Sequence, residues 1–310
     1  MNLRTHDVMR TARAPAKLNL FLEITGRRGD GFHELESLMV PIRLADTLTL
    51  AATSAGVDGQ SGDIRLEAHS CFPLRSTQQS AALPTDANNL VVRALRLLQQ
   101  RSDCRFGASV ALAKRIPVAA GLGGGSSDAA AALRLANRAW RLDWPVEPLA
   151  ELAAELGSDV PFFLSNGPAV CRGRGERVEP VRGLPALHFV IVKPPVDLST
   201  SDVYRAHDAR PESALGARRL DAPLAELASA RWNGVGHWLH NRLQAAAASL
   251  TPWVHRIRSV FDEFDFVGHQ LSGSGSAYFG VCRHARHARR LASILRTRQL
   301  GLVYATRSCQ

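Results

Sequence analysis

The strongest constraint on the fold is a run in which four glycines occupy residues 121 and 123–125, followed at once by two serines and an aspartate. Glycine has no side chain, so it permits positive φ and lets main chain approach a ligand closely. Alternating residues 107–115 before the run predict a strand, and the alanine-rich residues 127–140 after it predict a helix. A strand, a glycine loop and a helix N-terminus leave unpaired N–H groups at the positive end of the helix dipole, which is typical of a phosphate site.

Two better-known phosphate loops are excluded by the residues themselves. The pattern G-x-x-x-x-G-K-[ST] does not occur, and the glycine spacing does not fit a dinucleotide fingerprint. A flexible turn before an alanine helix is the remaining alternative. Because strand, loop and helix agree, we favour the phosphates of a ligand held by the loop, with these predicted contacts: Pro117, Val118, Ala119, Ala120, Gly121, Leu122, Gly123, Gly124, Gly125, Ser126 and Ser127.

The rest of the chain mixes strands and helices without regular βαβ alternation, which favours the α+β class over a doubly wound sheet. Leucine and valine spacing predicts a helix after Asn89. The strand-like residues 37–50 are expected to be interrupted at Pro41, and the glycine- and arginine-rich residues 169–180 are assigned no element. A length of 310 residues suits two domains.

Composition indicates a protein that builds an ordinary core in a reducing compartment. Hydrophobic residues make up 45% and charged residues 21%, with no apolar run of about 18 residues. The N-terminal residues lack the apolar segment of a secretory signal, and the five cysteines form no CxxC pair. His237 and His240 lie three residues apart without a third ligand. We therefore expect a cytoplasmic protein with no membrane partner, no disulfides and no metal held by protein ligands; the sequence specifies no oligomeric state.

The net charge of +10 fits a polyphosphate ligand or a nucleic acid. Arginine supplies nearly all of it, since the chain has only three lysines, Lys17, Lys114 and Lys193. The basic helix predicted over residues 283–298 carries an apolar stripe, and we interpret it as a packed helix with a solvated cationic face. A non-enzymatic RNA-binding protein stays open as the alternative that this charge supports.

Three motifs together resemble the GHMP kinases. The glycine loop is similar to their phosphate loop, the residues APAKLNLFL at 14–22 to their N-terminal motif, and LSGSGSA at 271–277 to their C-terminal motif. The resemblance extends over nearly the whole chain. It implies an N-terminal, ribosomal-protein-like ATP-binding domain, placed at residues 1–172, and a C-terminal ferredoxin-like domain at residues 173–310.

Within this family, the runs at residues 15–39, 114–133 and 156–164 resemble members that act on 4-diphosphocytidyl-2-C-methyl-D-erythritol. That resemblance implies phosphorylation of the 2-hydroxyl of this small molecule in the non-mevalonate route to isoprenoid precursors. ATP with Mg²⁺ would be the co-substrate, and nucleic acid would not be a partner. Another member of the family, acting on mevalonate, homoserine or a sugar, stays open as an alternative.

The resemblance also assigns the catalytic residues. Asp159 matches the family's catalytic base, and Lys17 matches the lysine that keeps this carboxylate ionised and orients the hydroxyl. A helix N-cap is the simpler alternative for Asp159, and a solvated strand-end charge for Lys17. Asn19 lies two residues beyond Lys17 on the same strand face, and we assign it to substrate contact.

Five further residues match binding positions of the family. His33 matches the position that holds the cytosine, with Phe32 and Tyr204 offering rings for stacking; the family commonly has tyrosine where this chain has Phe32. Thr200 is assigned to phosphate or substrate contact. Lys114 and Asn89 match nucleotide contacts, with a strand-end charge and a helix cap as the alternatives. The motif at residues 240–244, HNRLQ, departs from the family's Asn-Asp-Leu-Glu pattern, and we expect that segment to be structural.

Overall fold

The computed structural model describes residues 9–56, 61–71, 83–210, 218–220, 236 and 239–309. The chain forms two compact units that interleave along the sequence. The first unit comprises Met1–Pro15, Ala45–Ile116 and Gly124–Leu164; the second comprises Ala16–Leu44, Pro117–Gly123 and Ser165–Gln310. The single boundary after residue 172 stays a prediction. His237, one half of the histidine pair considered above, lies outside the described residues.

The described strands are β1 Arg10–Arg27, β2 His33–Ala55, β3 Ile64–Ser70, β4 Phe106–Lys114, β5 Ala169–Gly173, β6 Arg177–Pro180, β7 His188–Lys193, β8 His240–Asn241, β9 Gly268–Leu271, β10 Tyr278–Cys282 and β11 Leu302–Arg307. The described helices are α1 Leu90–Ser102, α2 Gly124–Ala139, α3 Val146–Leu156, α4 Thr200–Asp208, α5 Gln244–Leu250, α6 Pro252–Asp262 and α7 Ala285–Thr297, with a 3-10 helix at Pro161–Leu164. None of these helices is long and apolar enough to cross a bilayer.

In the first unit, β4 lies between β3, which it pairs in parallel, and the second half of β2, which it pairs antiparallel from Thr47 to Ala55. Helix α2 packs against α1 and buries alanines along its length, among them Ala129, Ala132 and Ala136. Small side chains let the two helices approach closely, and the packed pair fixes where α2 begins.

In the second unit, the sheet β11-β7-β10-β9 is antiparallel throughout. Its strands follow each other in the chain as β7, β9, β10 and β11, with α7 between the last two. Numbered within the sheet, the spatial order is therefore 4-1-3-2, the order of a ferredoxin-like domain. Buried Phe261 of α6 and Tyr278 of β10 meet with ring centroids 5.3 Å apart in the core of this unit. The predicted α+β class is confirmed, and so is the ferredoxin-like C-terminal half.

Three local expectations were wrong. Strand β2 runs without interruption through Pro41, because this proline falls between the β5 ladder, which ends at Met39, and the β4 ladder, which begins at Thr47. Residues 169–180 form the hairpin β5–β6 although they are rich in glycine and arginine. Helix α2 begins at Gly124 and not at Ser127, so the last two glycines of the loop form its first turn.

Candidate active site

Lys17 and Asn19 lie side by side on β1, and both are buried, at 4% and 2% exposure. The Lys17 ammonium donates to Asn19 Oδ1 at 2.5 Å, and Asn19 Nδ2 donates to Ser37 Oγ of β2 at 2.8 Å. Ser37 in turn donates to the Phe21 carbonyl at 2.7 Å. A solvated strand-end lysine is therefore excluded, because burying an ammonium requires polar partners of this kind.

The first half of the glycine loop, Pro117–Gly123, belongs to the same unit and lies against this strand and the C-terminal glycine motif. The Lys17 main-chain N–H donates to the Leu122 carbonyl at 2.9 Å. On the other side, Ser272 Oγ donates to the Gly121 carbonyl at 3.1 Å, and the Ala277 N–H donates to the Ala120 carbonyl at 3.0 Å. The three motifs, the first and last of which are about 250 residues apart in the sequence, thus meet in one place.

Two glycines make this approach possible. Gly121 has φ +71°, and a Cβ there would lie 2.1 Å from the Ser272 carbonyl oxygen. Gly273 has φ +56°, and a Cβ there would lie 3.1 Å from Lys17 Nζ and 3.2 Å from Asn19 Oδ1. Both positions favour glycine for its conformation, and Gly121 also for lack of space. The glycine motif at 272–276 therefore brings main chain to Lys17.

The segment at residues 240–244, which departs from the family's Asn-Asp-Leu-Glu pattern, holds this glycine motif in place. Asn241 Nδ2 donates to the carbonyls of Leu271 and Gly273 at 2.9 and 2.8 Å, and its Oδ1 accepts from the Leu243 N–H. Gln244 Oε1 accepts from the Leu271 N–H at 2.8 Å. Asn241 donates to carbonyls, which a carboxylate cannot do, whereas Gln244 accepts, as a carboxylate also would. The structural role expected for this segment agrees with these bonds.

A buried carboxylate that sequence reasoning missed anchors the same segment. Glu23 of β1 accepts from Arg242 Nε at 2.6 Å and lies 2.9 Å from His240 Nε2. Burial opposes ionisation of Glu23, but hydrogen bonds from His240, Arg242 and the Arg218 and Ile24 N–H groups outweigh it and lower its pKa to about 2. Its only signal in the sequence is an acidic residue directly after the apolar run of residues 20–22.

In the first unit, Lys114 is the centre of a buried triad. Its ammonium donates to Asp46 Oδ2 and, at 2.7 Å, to Asp128 Oδ2. Asp46 Oδ1 also accepts from the Arg115 and Ile116 N–H groups. The triad joins the end of β4, from which the chain enters the glycine loop, to the first turns of α2, into which the chain leaves it. A Cβ on Gly124 would lie 3.2 Å from Lys114 Nζ, so glycine makes room for the ammonium.

One cation cannot neutralise two buried carboxylates, and the triad resolves this by keeping a proton. Burial raises the pKa of Asp128 to about 8, with Lys114 opposing the rise and Asp46 adding to it. Burial also opposes the charge of Lys114, but the two carboxylates outweigh it and raise the lysine pKa. At neutral pH the triad therefore holds a protonated Asp128 next to a charged Lys114.

Two buried polar atoms at the head of α2 have no hydrogen-bond partner among the described residues, Ser127 Oγ and Asp128 Oδ1. An unsatisfied buried polar group costs about 1–3 kcal/mol, so such atoms need an explanation. They lie beside the first N–H groups of a helix of sixteen residues, where the dipole favours an anion. This end of α2 has the chemistry of a ligand site that the protein alone does not satisfy.

Asn89 and Asp159 also lie in the first unit. Asn89 caps α1, because its Oδ1 accepts from the Val91 N–H at 2.9 Å, and its Nδ2 donates to the Pro84 carbonyl. The structure therefore supports the capping alternative for Asn89, and a nucleotide contact stays a prediction. Asp159 is half-buried in the turn before the 3-10 helix. Its role as base, and its pairing with Lys17, stay predictions.

Two of the residues predicted to hold a ring, His33 and Tyr204, form a cluster with Asp208 in the second unit. His33 lies over Tyr204 of α4 with ring centroids 4.8 Å apart, and its Nε2 lies 2.6 Å from Asp208 Oδ1. Phe32 is 48% exposed and carries the Arg174 guanidinium 5.2 Å above its ring. Thr200, at the start of α4, shares a hydrogen bond of 2.9 Å with Ser274 of the glycine motif. Asp208 was not predicted.

Among the described residues, no group of three or more His, Cys, Asp and Glu side chains is placed to hold a metal ion. The cysteines Cys71, Cys104, Cys171, Cys282 and Cys309 are free thiols.

Comparison with known proteins identifies the family. The model of the GHMP kinases N terminal domain matches residues 89–167, and that of the GHMP kinases C terminal domain matches residues 223–300. The chain belongs to the GHMP kinase family. As a GHMP kinase it is an ATP-dependent enzyme, and the alternative of a non-enzymatic RNA-binding protein is set aside.

Curated relatives in this family are similar over nearly their whole length. The chain is 37% identical over 286 residues to the 4-diphosphocytidyl-2-C-methyl-D-erythritol kinase of Exiguobacterium sibiricum, covering 92% of this chain and 93% of that protein. It is 39% identical over 285 residues to the enzyme of the same name from Pelotomaculum thermopropionicum, covering 91% and 92%.

Solved structures of GHMP kinases share the fold. A crystal structure of 4-(cytidine 5'-diphospho)-2C-methyl-D-erythritol kinase matches with a TM-score of 0.78 and 35% identity, covering 97% of this chain and all of that one. Homoserine kinase from Cytophaga hutchinsonii matches with a TM-score of 0.72 at 17% identity, covering 100% and 98%, which shows the fold alone. The predicted two-domain GHMP kinase fold is confirmed.

Proposed function

We propose that this GHMP kinase transfers the γ-phosphoryl group of ATP, bound with Mg²⁺, to the 2-hydroxyl of 4-diphosphocytidyl-2-C-methyl-D-erythritol. The names of its relatives support the substrate. The observation that carries the proposal is the convergence of Lys17 and Asn19, the Gly121 main chain and the Gly273 turn in one place. The cytoplasm is the compartment we propose for this reaction.

Phosphoryl transfer needs positioning and charge neutralisation more than covalent chemistry by the protein. Main-chain N–H groups of the loop and of the first turn of α2 would hold the phosphates, with Ser127 Oγ completing the set. Asp159 would accept the proton of the attacking hydroxyl, and Lys17, held by Asn19, would stabilise the negative charge that develops in the transition state. These roles are assigned by the family resemblance and supported by the burial of Lys17.

The ring cluster supports a cytosine-bearing acceptor. Asp208, being a carboxylate, accepts from His33, so the ring hydrogen lies on Nε2 and Nδ1 is left as an acceptor in the neutral imidazole. Cytosine offers an amino donor to such an atom, whereas uracil offers a carbonyl acceptor at the same position. We therefore propose that Asp208 positions His33 for cytosine. We expect D208N to lower the ratio of the activity with a cytidine-bearing acceptor to the activity with a uridine-bearing acceptor.

An acceptor panel tests the proposal. Purified protein with ATP and Mg²⁺ is offered the cytidyl substrate, mevalonate, homoserine and galactose, and phosphorylated product is measured by mass spectrometry. We expect turnover of the cytidyl substrate alone; equal turnover of mevalonate would overturn the assignment. Asp159→Asn should fold normally and lose about 10³-fold in kcat, while D63N at an exposed position should not. Wild-type activity in D159N would remove this carboxylate from the mechanism.

A further inference from the structure

Glu23 is the one acidic residue of β1, and its side chain is buried. Its Oε1 accepts from the Ile24 N–H at 2.9 Å and from Arg242 Nε at 2.6 Å. Its Oε2 accepts from the Arg218 N–H at 2.9 Å and from His240 Nε2 at 2.9 Å. A carboxylate has about four lone-pair sites. Each acceptor site of Glu23 is therefore matched by one donor.

Two of these donors stand on either side of Asn241. His240 precedes it and Arg242 follows it, and β8 itself consists of His240–Asn241 alone. The strand pairs in parallel with β1 at two residue pairs, and one more main-chain bond joins the Arg242 N–H to the Leu22 carbonyl at 2.9 Å. So short a ladder holds a segment weakly. The side-chain bonds to Glu23 therefore strengthen the attachment of residues 240–242 to β1.

The attached segment reaches the active site through Asn241. Its Nδ2 donates to the Leu271 and Gly273 carbonyls at 2.9 and 2.8 Å. The Gly273 turn lies beside Lys17, since a Cβ on Gly273 would be 3.1 Å from Lys17 Nζ. Lys17 and Glu23 are six residues apart on β1, so both side chains leave the same face of the strand. The series of contacts that begins at Glu23 thus returns to β1 at Lys17.

The charge of Glu23 is essential to this arrangement. Burial raises the pKa of Glu23, but hydrogen bonds, that from His240 first among them, outweigh it and lower the pKa to about 2. Hydrogen bonds to an ionised acceptor are about twice as strong as those between neutral groups. Glutamine has the same shape, but it offers one oxygen, and its amide N–H groups would face the remaining donors.

We infer that Glu23 is a positioning residue of the phosphoryl-transfer reaction: it holds His240 and Arg242, and through Asn241 it fixes the glycine motif beside Lys17. Glu23 acts through these residues and needs no contact with either substrate. Misplacing a reacting group by about 1 Å can cost about a hundredfold in rate. The inference rests on the active site proposed above and not on the identity of the acceptor.

Steady-state kinetics of the full chain with ATP and Mg²⁺ test the inference, with whichever acceptor of the panel above the wild type phosphorylates fastest. We expect the kcat of E23Q to fall at least about tenfold, because the residues on both sides of Asn241 lose their anchor. The matched control is E36Q, which removes the charge of a partly buried glutamate of β2 that pairs with Arg172 at 2.9 Å. E36Q should keep the kcat of the wild type.

A paired variant separates positioning from stability. E23Q leaves the largely buried Arg242 guanidinium without its carboxylate, whereas E23M/R242M removes both charges. We expect the paired variant to unfold at a higher urea concentration than E23Q and yet to keep the low kcat, since His240 still lacks its acceptor. A kcat that recovers together with stability would assign Glu23 to stability alone and overturn the inference.

Wild-type kcat in folded E23Q would also overturn it. If the wild type phosphorylates no acceptor of the panel, the proposed function fails by itself, and amide hydrogen exchange decides the inference. We expect the amides of residues 271–275 to exchange about tenfold faster in E23Q, with those of β7 unchanged; equal exchange in both proteins would contradict the inference. If E23Q does not fold, H240L, which removes one of the two holds, takes its place with about a threefold effect, and no effect would be decisive against Glu23.

Discussion

The Lys114 ammonium lies 2.7 Å from Asp128 Oδ2, and this contact ties the last residue of β4 to the second turn of α2, the helix whose first turn contains the last two glycines of the loop. Asp46 completes the link from β2 and also accepts two main-chain N–H groups at the loop entrance. The triad therefore sets the span that the loop must bridge. A loop of fixed span presents its N–H groups to a phosphate with little ordering cost on binding.

Removing the lysine should destabilise the fold strongly. Lys114→Met leaves two carboxylates buried around an apolar side chain, and we expect the free energy of unfolding to fall by about 3–5 kcal/mol. The matched control is R101Q, whose pair with Glu155 is exposed and should cost no more than about 1 kcal/mol. Urea unfolding of both variants measures the difference. Equal stability of K114M and R101Q would show that the triad contributes nothing.

The protonated Asp128 should make stability depend on pH. Its folded pKa of about 8 lies above the usual 3.8, so the folded chain holds a proton that the unfolded chain releases between those values. That stabilisation is complete below about pH 4 and is lost as the pH rises towards about 8. Glu23 has the opposite sign, but its stabilisation is lost only as the pH falls below its usual 4.5 towards about 2.

Asp128→Asn mimics the protonated acid and removes this titration. Relative to D128N, the wild type should lose stability between about pH 5 and about pH 8, by at most about 1.4 kcal/mol per pH unit. Chemical unfolding of both proteins across this range gives the difference directly. Parallel pH profiles would mean that Asp128 is ionised in the folded chain.

A methyl group at Gly121 should disrupt the loop. G121A puts a Cβ 2.1 Å from the Ser272 carbonyl oxygen at φ +71°, so main chain must move on one side or the other. We expect a loss of about 2 kcal/mol or more and at least a tenfold rise in KM for ATP. Gly167→Ala is the control, since a Cβ there meets nothing within 4 Å. If both variants match the wild type in ATP affinity, the loop conformation does not govern nucleotide binding.

Asn241 should be required for activity through the glycine motif that it holds. N241D replaces the amide nitrogen that donates to the Leu271 and Gly273 carbonyls with a carboxylate oxygen, which repels both of them. We expect about 1–3 kcal/mol of destabilisation and a larger fall in kcat than in stability-matched variants. The exposed N88D serves as the control. Thermal unfolding and initial rates together separate the two effects; an unchanged kcat in folded N241D would contradict the positioning role.

Local sequence patterns predicted several strands and helices, and the three motifs could be recognised from their residues. Alternation and turn residues predicted the strands around Lys17 and before the loop, and leucine spacing predicted α1 behind its Asn89 cap. The ferredoxin-like half followed from the family resemblance and not from periodicity. The continuity of strand β2 through Pro41 was not predicted. Whether a proline interrupts a strand depends on where the hydrogen-bond ladders with the neighbouring strands end.

The sequence did not reveal which residues pair with the charged groups of the site. Lys114 meets Asp46, 68 residues away, and Glu23 meets Arg242, 219 residues away. Neither pairing has a local pattern, since packing alone brings these residues together. The same holds for Asp208, which lies 175 residues from His33. Residue type pointed to Lys17 and Lys114, but burial and partners decide what each lysine does.

The central claim is that main-chain N–H groups from Gly121 to Ser127 bind the triphosphate of ATP. A crystal structure of the protein with a non-hydrolysable ATP analogue and Mg²⁺ tests it most directly. We predict phosphate oxygens within about 3 Å of those N–H groups and of Ser127 Oγ. A nucleotide bound elsewhere, with this segment in contact with solvent alone, would contradict the account.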